Sequence, residues 1–301
     1  MGMNLRAIGA PMDLGSDRRG VDMGPSAIRY AGLSEAVRDI GVSYDDAGDL
    51  PVPQPEGRDP NAERPDEGSA KYLKETRWVC RRVESAVADA LDDGETPLVL
   101  GGDHSIAIGS VGGASRDREV GVLWLDAHGD FNTPETTPSG NVHGMPVAAV
   151  LGRGVFGDMN WARADVEAHS VSMVGLRSVD GQERAALRDS DIDAYTMSDI
   201  DTRGIVPVVE DALDSALHGV DALHVSLDMD LLDPDEAPGV GTPVTGGVTY
   251  REAHATMELI ADTDALCSME VVEVNPILDS HNRTADLAVE LVSSALGEKI
   301  L

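Results

Sequence analysis

Eight short apolar runs recur along the chain, and helical patterns lie between them. The strand-like runs are 4–9, 41–46, 97–100, 120–125, 170–175, 193–197, 222–227 and 267–273. Helical spacing of apolar residues marks 25–39, 69–93, 105–114, 143–151, 181–188, 206–218, 249–262 and 283–297. Few folds accept this alternation. Parallel strands need long crossovers, and helices supply them on both faces of a sheet. The pattern predicts an α/β fold, a three-layer α/β/α arrangement with a central parallel sheet of about eight strands. In such sheets ligands bind at the carboxyl ends of the strands. The stretch from Pro51 to Gly68 is rich in proline and charge and reads as an exposed loop.

Four runs deliver polar residues to that edge. Leu98-Val99-Leu100 leads into Gly101-Gly102-Asp103-His104-Ser105. The run from Val122 to Leu125 leads into Asp126, His128 and Asp130. Leu223-His224-Val225-Ser226-Leu227 leads into Asp228-Met229-Asp230, and Met269-Glu270-Val271-Val272 into Glu273-Val274-Asn275-Pro276. Residues two apart on extended backbone point the same way. Carboxylates at the end of a buried strand are costly unless paired, and a divalent cation pairs with several at once. His104, Asp126, His128, Asp130, Asp228 and Asp230 are too many ligands for one ion and suit two. Two-metal sites hold their ions about 3.5–4 Å apart. Oxygen and nitrogen donors without thiolate favour manganese, with zinc as the alternative.

Competing motif readings fail on particular residues. Asp228-Met229-Asp230 could open a calcium loop, but Leu232 and Asp233 stand where an oxygen ligand and a glycine are needed. Gly101-Gly102 has no Gly-Lys-Ser/Thr behind it, so it is not a phosphate loop.

With these motifs in hand, the chain resembles the ureohydrolases, and among them the arginase family, over nearly its whole length. Gly101–Ser105, Asp126–Asp130 and Ser226–Asp230 correspond to the three metal-binding signatures of the family. The arginase subtype rests on three further segments. Arg18-Arg19-Gly20-Val21-Asp22-Met23-Gly24-Pro25 resembles the N-terminal segment of arginases, and Ser139-Gly140-Asn141-Val142-His143-Gly144-Met145-Pro146 their substrate loop. Gly175-Leu176-Arg177-Ser178-Val179-Asp180 with Glu183 resembles the segment that binds the amino group. Agmatinases share the metal ligands but usually differ in the second and third segments. Departures from the family pattern are Gly129 for a frequent Thr, Leu231 for Gly, and Gly181-Gln182 for Pro-Gly after Asp180.

The resemblance implies an arginase/deacetylase-like fold. It also implies hydrolysis of L-arginine to L-ornithine and urea by a hydroxide bridging two Mn2+ ions. The nearest alternative is an agmatinase or another guanidino-substrate hydrolase. One manganese would take His104, Asp126, Asp130 and Asp228, and the other Asp126, His128, Asp228 and Asp230. Asp130 would relay a proton to the leaving amine, and His143 would exchange protons with solvent. Glu273 would pair with the guanidinium. Asn132, Ser139 and Asn141 are neutral hydrogen-bonding residues suited to the α-carboxylate, directly or through water. Asp180, assisted by Glu183, suits the α-ammonium, and Thr242 is expected at the substrate as well. A homotrimer or homohexamer is expected by the same resemblance. Two readings outside the family are a single-ion deacetylase and a manganese-binding regulator without activity. The paired ligand set opposes the first, and intact Asp130, His143 and Glu273 oppose the second.

The chain carries 54 acidic residues against 23 basic ones, a net charge of −31, with lysine only at Lys71, Lys74 and Lys299. A hydrophobic content of 42% and regular apolar runs exclude disorder as the explanation. The remaining reading is a surface adapted to a high-salt cytoplasm. Such charge disfavours nucleic acid and anionic membranes as partners. Cys80 and Cys267 are too few for a disulfide framework and read as reduced thiols. No signal-peptide pattern or membrane-spanning run stands out, so 1–301 is expected to be one cytoplasmic domain. At low ionic strength the carboxylate repulsion is unscreened. The thermal unfolding midpoint should therefore fall on transfer from molar potassium chloride to dilute buffer. Identical unfolding curves in the two solutions would remove the high-salt reading.

Overall fold

The computed structural model describes residues 3–16 and 18–299. Each strand-like run forms a strand: β1 Asn4–Ala10, β2 Ser43–Asp49, β3 Thr96–Gly101, β4 Gly121–Leu125, β5 Val171–Leu176, β6 Asp193–Thr196, β7 Leu223–Asp228 and β8 Leu266–Val272. They make one eight-stranded sheet in the order β2-β1-β3-β8-β7-β4-β5-β6. Every neighbouring pair is parallel. The helices are α1 Gly24–Tyr30, α2 Leu33–Asp39, α3 Leu73–Asp92, α4 Ala107–Ser115, α5 Pro146–Val150, α6 Gly181–Arg188, α7 Met197–Arg203, α8 Ile205–Ala216, α9 Tyr250–Asp262 and α10 Arg283–Ala295.

Side-chain alternation along the strands divides the core between two faces. In β3, Leu98 and Leu100 join the cluster built with α1, α2, α8, α9 and α10, while Val99 turns to Val79, Val83 and Val87 of α3. In β4, Leu123 and Leu125 face the first group, and Val122 and Trp124 pack with Val111 of α4 and Val147 and Val150 of α5. Both faces of the central strands are thus buried, which explains their continuous apolar runs. The result is the expected three-layer arrangement.

Several boundaries move for local reasons. The helical pattern at 25–39 divides at Gly32, whose φ of 91° is left-handed and starts α2 afresh. The pattern at 143–151 shortens to α5, which begins at Pro146 after a 3-10 turn over Val142–Gly144. Helix α7 lacks an apolar stripe and was not expected; a capping box between Thr196 and Asp199 starts it. The edge strand β2 lies at 43–49 rather than 41–46, and its acidic side chains are mostly exposed. Residues 51–68 form no helix or strand and are largely exposed. Both cysteines are free, Cys80 buried and Cys267 half-buried. No helix among the described residues is long and apolar enough to cross a membrane.

The strand order places the site. After β3 the chain begins β4 three positions away, and β8 and β7 later fill the gap. The four strands that end in candidate ligands are therefore consecutive, at the centre of the sheet. A crevice at their carboxyl ends is where α/β sheets bind ligands.

Helix α4, just behind His104, packs closely on α3 through two glycines. A Cβ at Gly109 would run into the Cys80 backbone carbonyl, and one at Gly113 would stand 2.6 Å from the Glu84 carbonyl oxygen. Alanine is the better helix former by about 1 kcal/mol, but overpacking costs about 1–3 kcal/mol. Because the clash is with backbone, the upper end of that cost applies, and Gly109→Ala should lower stability by up to about 2 kcal/mol net. A denaturant midpoint equal to or above that of the parent would contradict this packing.

Candidate metal centre

His104 sits on a 3-10 turn, His104–Ile106, directly after β3. Asp103 caps that turn, accepting from the Ser105 amide at 3.0 Å, and reaches back to the Gly15 amide at 2.7 Å. The His104 Nδ1 atom lies 3.2 Å from Asp126 Oδ2, 3.1 Å from Asp130 Oδ2 and 3.1 Å from Asp228 Oδ2. It is buried and makes no hydrogen bond. Three carboxylate oxygens and an imidazole lone pair thus converge without hydrogen-bond geometry. Ligand atoms about 2.1 Å from a shared cation stand about 3 Å apart in this way.

A second group adjoins the first. His128 Nδ1 lies 2.9 Å from Asp230 Oδ2 and 3.6 Å from Asp126 Oδ1. Asp126 therefore presents one oxygen to each imidazole. His104, Asp126 and Asp130 form one cluster able to hold an ion, and Asp126, His128 and Asp230 form another. The donors are carboxylate oxygen and imidazole nitrogen, a set that fits divalent cations such as manganese or zinc. Asp228 reaches His104 with Oδ2 and takes the Asp230 amide with Oδ1 at 2.7 Å.

Crowding shows in the protonation equilibria. Burial, with the charge of Asp126 behind it, pushes Asp130 up to about 6. Burial and the charges of Asp230 and Asp126 raise Asp228 well above the usual carboxylate range. Burial opposes charge on His128, but Asp230 and Asp126 prevail and lift it to about 12. Metal ligands must be deprotonated, so protons and a divalent cation would compete for these imidazoles and carboxylates.

Surrounding residues orient the ligands. His104 Nε2 meets Ser226 Oγ at 2.8 Å, and its ring stacks on Trp124 at 4.3 Å. Trp124 Nε1 donates to Asp126 Oδ2 at 2.9 Å. Arg177 spreads its guanidinium over the carbonyls of Gly175, Asp230, Leu231, Leu232 and Val244. It thereby fixes the segment after β7. The sequence motifs assign none of these three residues its role. Trp124 precedes Asp126 by two positions, and Ser226 precedes Asp228 by two. Strand periodicity therefore put each on its ligand's face, and that signal was available.

A cavity of about 260 Å³ opens over the centre. His104, His128, Asp130, Asp228, Asn132, Ser139, Asn141, His143, Asp180, Glu183 and Thr242 all line it. Asp126, Asp230 and Glu273 are buried and do not line it. Gly144 and Ser178, from the two segments that resemble the substrate loop and the amino-group-binding segment, line it too, as do Thr137 and Pro138, which no motif marks. Thr242 Oγ1 donates to Asp230 Oδ2 at 3.1 Å, so it also buttresses a ligand. Asn132 Nδ2 donates to Asp180 Oδ2 at 2.8 Å. Asn141 Oδ1 accepts from Lys71 Nζ at 3.0 Å, a partner that nothing in the local pattern announced.

Glu273 accepts from the His104 amide at 3.1 Å and meets His143 Nδ1 at 3.2 Å, both through Oε1. Its Oε2 is buried without a hydrogen-bond partner. Burial disfavours charge on His143, but the bond to Glu273 and its charge lift the imidazole to about 9.

The departures noted in the sequence find local explanations. Gly181-Gln182 still permits a capping box, in which Asp180 accepts from the Gln182 and Glu183 amides and Glu183 from the Asp180 amide. A Cβ at Gly129 would stand 3.1 Å from Glu183 Oε1, so glycine leaves room for that carboxylate. Leu231 covers Gly175, where a Cβ would strike its side chain.

The arginase family model matches residues 4–297. The chain belongs to the arginase family. The arginase of Brevibacillus brevis is 46% identical over 304 residues, with both chains covered in full. The arginase structure from Bacillus caldovelox superposes with a TM-score of 0.91 at 44% identity, covering 99% of this chain and 100% of that one. The arginase of Entamoeba histolytica in complex with L-ornithine gives a TM-score of 0.85 at 29% identity, covering 99% and 100%. The chain is accordingly a hydrolase acting on amidine C–N bonds, with the metal-dependent chemistry of the arginase family.

Ser226 offers a test of the centre. Partners of metal-bound imidazoles typically carry about 10–100-fold in metal affinity. Ser226→Ala should lower affinity for Mn2+ by that order in chelator competition, with the circular dichroism spectrum unchanged. Unaltered affinity would show that Ser226 does not orient His104.

Proposed function

We propose that the protein is an arginase that hydrolyses L-arginine to L-ornithine and urea at a pair of manganese ions. The observation that carries this reading is Asp126, which faces both imidazole groups beneath a cavity walled by Asn132, Ser139, Asn141 and Asp180. When bound, two divalent cations supply Lewis acidity and bring the pKa of water towards neutrality. His104, Asp126, Asp130 and Asp228 would hold one ion, and Asp126, His128, Asp228 and Asp230 the other.

The chain's own residues do the rest. The guanidinium carbon is a poor electrophile because its charge is delocalised, so it must be held in line with the attacking water. Glu273, with its unpartnered Oε2, pairs with the guanidinium and orients it. Asp130 accepts the proton of the attacking water and passes it to the departing amine. His143, on the cavity wall, exchanges protons with solvent. Asn132, Ser139 and Asn141 receive the α-carboxylate directly or through water. Asp180 and Glu183 receive the α-ammonium, with Thr242 contributing at the base of the cavity.

Substrate choice follows from these contacts. Agmatine lacks the α-carboxylate and leaves Asn132, Ser139 and Asn141 unmatched, which favours arginine. The proposal extends to a cytoplasmic homotrimer or homohexamer of single-domain subunits. The protein's acidic surface suits molar salt.

With manganese in molar potassium chloride, urea release from L-arginine should exceed that from agmatine. The opposite order would leave the family intact and end the arginase assignment. His143→Ala should lower turnover by about 10²-fold and keep two manganese ions per chain by elemental analysis. Loss of the metal in that variant would make His143 a ligand or structural residue instead of a proton carrier.

A further inference from the structure

The outer face of α3 carries Lys74, Arg77, Trp78, Arg81 and Arg82. Their spacing of three and four residues sets them on one stripe of the helix. Arg58 and the Pro51–Pro53 segment close a groove of about 590 Å³ against that stripe. It shares no lining residue with the cavity over the metal centre. Five of the chain's 23 basic residues line it, in a protein of net charge −31.

This concentration opposes both helix electrostatics and composition. Like charges three and four apart destabilise a helix, and acidic residues are plentiful everywhere else in the chain. Two arginines elsewhere on the surface sit between carboxylates, Arg29 with Asp46 and Asp49, and Arg116 with Asp92 and Asp117. In the groove, Arg58 pairs with the buried Glu75 at 3.0 Å and Arg77 with Glu63 at 2.6 Å. Lys74 and Arg81 have no carboxylate partner among the described residues, and Glu75 is the one carboxylate in the lining. The Arg82 guanidinium lies 3.3 Å over the Trp78 ring, which is still 37% exposed as a residue. Trp78 and the prolines give the groove an apolar wall beside its cations.

We propose that this groove binds a small organic polyanion of the nucleoside bisphosphate class, a planar base on a sugar that bears two separate phosphate groups. Its volume lies within the range of about 300–1,000 Å³ typical of small-molecule sites. Arginine forks match phosphate oxygens in pairs, and indole offers a surface for a planar base. Lys74 and Arg81 supply the free charge, and Trp78 supplies the ring contact.

The test is calorimetric titration of the manganese-loaded protein with adenosine 3′,5′-bisphosphate, inorganic phosphate and adenosine. In 1 M potassium chloride the Debye length is about 3 Å, so diffuse attraction does not register. The bisphosphate should bind at one site per chain, with phosphate and adenosine each at least about tenfold weaker. The double variant Lys74→Glu/Arg81→Glu should weaken the bisphosphate by at least about tenfold, while urea release and metal content stay at parent levels. Trp78→Leu should weaken the bisphosphate and leave phosphate unchanged. Absence of saturable binding, or parent affinity in the double variant, would overturn the proposal. So would equal affinity for inorganic phosphate, or parent bisphosphate affinity in Trp78→Leu. A changed oligomeric state in the ligand-free double variant would assign the groove to contact between copies and overturn it as well.

Discussion

Four carboxylates and two imidazoles are forced together at the ends of the central strands, and the fold around them is arranged to hold that crowd. Asp126, Asp130, Asp228 and Asp230 are each nearly or fully buried. Placed so close and out of water, they repel one another and raise one another's proton affinity, as Asp130 and Asp228 show. Apolar side chains cannot relieve such a cost, and single hydrogen bonds relieve little of it. Cations relieve it. The rest of the structure supplies rigid positions from which the ligands cannot retreat: a sheet buried on both faces, Trp124 and Ser226 about His104, and Arg177 clamping the segment after β7. A looser scaffold would let the carboxylates swing out to solvent.

The strands and the site were legible in the sequence for one shared reason. A central parallel strand is mostly apolar until it ends, so a charged residue directly after the run is both a boundary and a position on the functional edge. Asp126, Asp228 and Glu273 all follow their runs in this way, and all three meet at the centre of the sheet. What periodicity could not supply is the strand order. That β8 and β7 come to lie between β3 and β4 depends on tertiary packing. The convergence of four loops far apart in sequence was argued from residue type and family resemblance alone.

The parts that were not legible are those decided by single local contacts. Gly32 interrupts a helical pattern that reads as continuous, because one left-handed residue redirects the chain without disturbing the apolar spacing. Helix α7 has one buried apolar residue, Ile200, so no stripe marked it; its start is written in Thr196 and Asp199 instead. Lys71 reaches Asn141 across 70 positions of sequence, and no pattern within either segment records that meeting. Glu270 and His224 are a further case. Both are fully buried on strands and lie 3.3 Å apart, a polar pairing hidden within apolar runs.

Backbone conformation at the centre shows which requirement prevails where two conflict. Asp130 has φ of 44° and Glu273 of 63°, both in the left-handed region. Glycine would adopt these angles at no steric cost, whereas residues with a side chain lose about 1–3 kcal/mol in such regions. Asparagine and aspartate tolerate the conformation better than glutamate does, so Glu273 is the more strained of the two. A glycine there would forfeit the carboxylate that accepts from His104 and meets His143. The Glu273 amide donates to the Gly102 carbonyl at 2.8 Å, and Gly241 donates to its carbonyl at 3.1 Å. Both backbone groups are therefore held on either side of the strained bond. The surrounding hydrogen bonds over-determine the conformation, and the strain persists because the side chain is needed where only that backbone turn can put it.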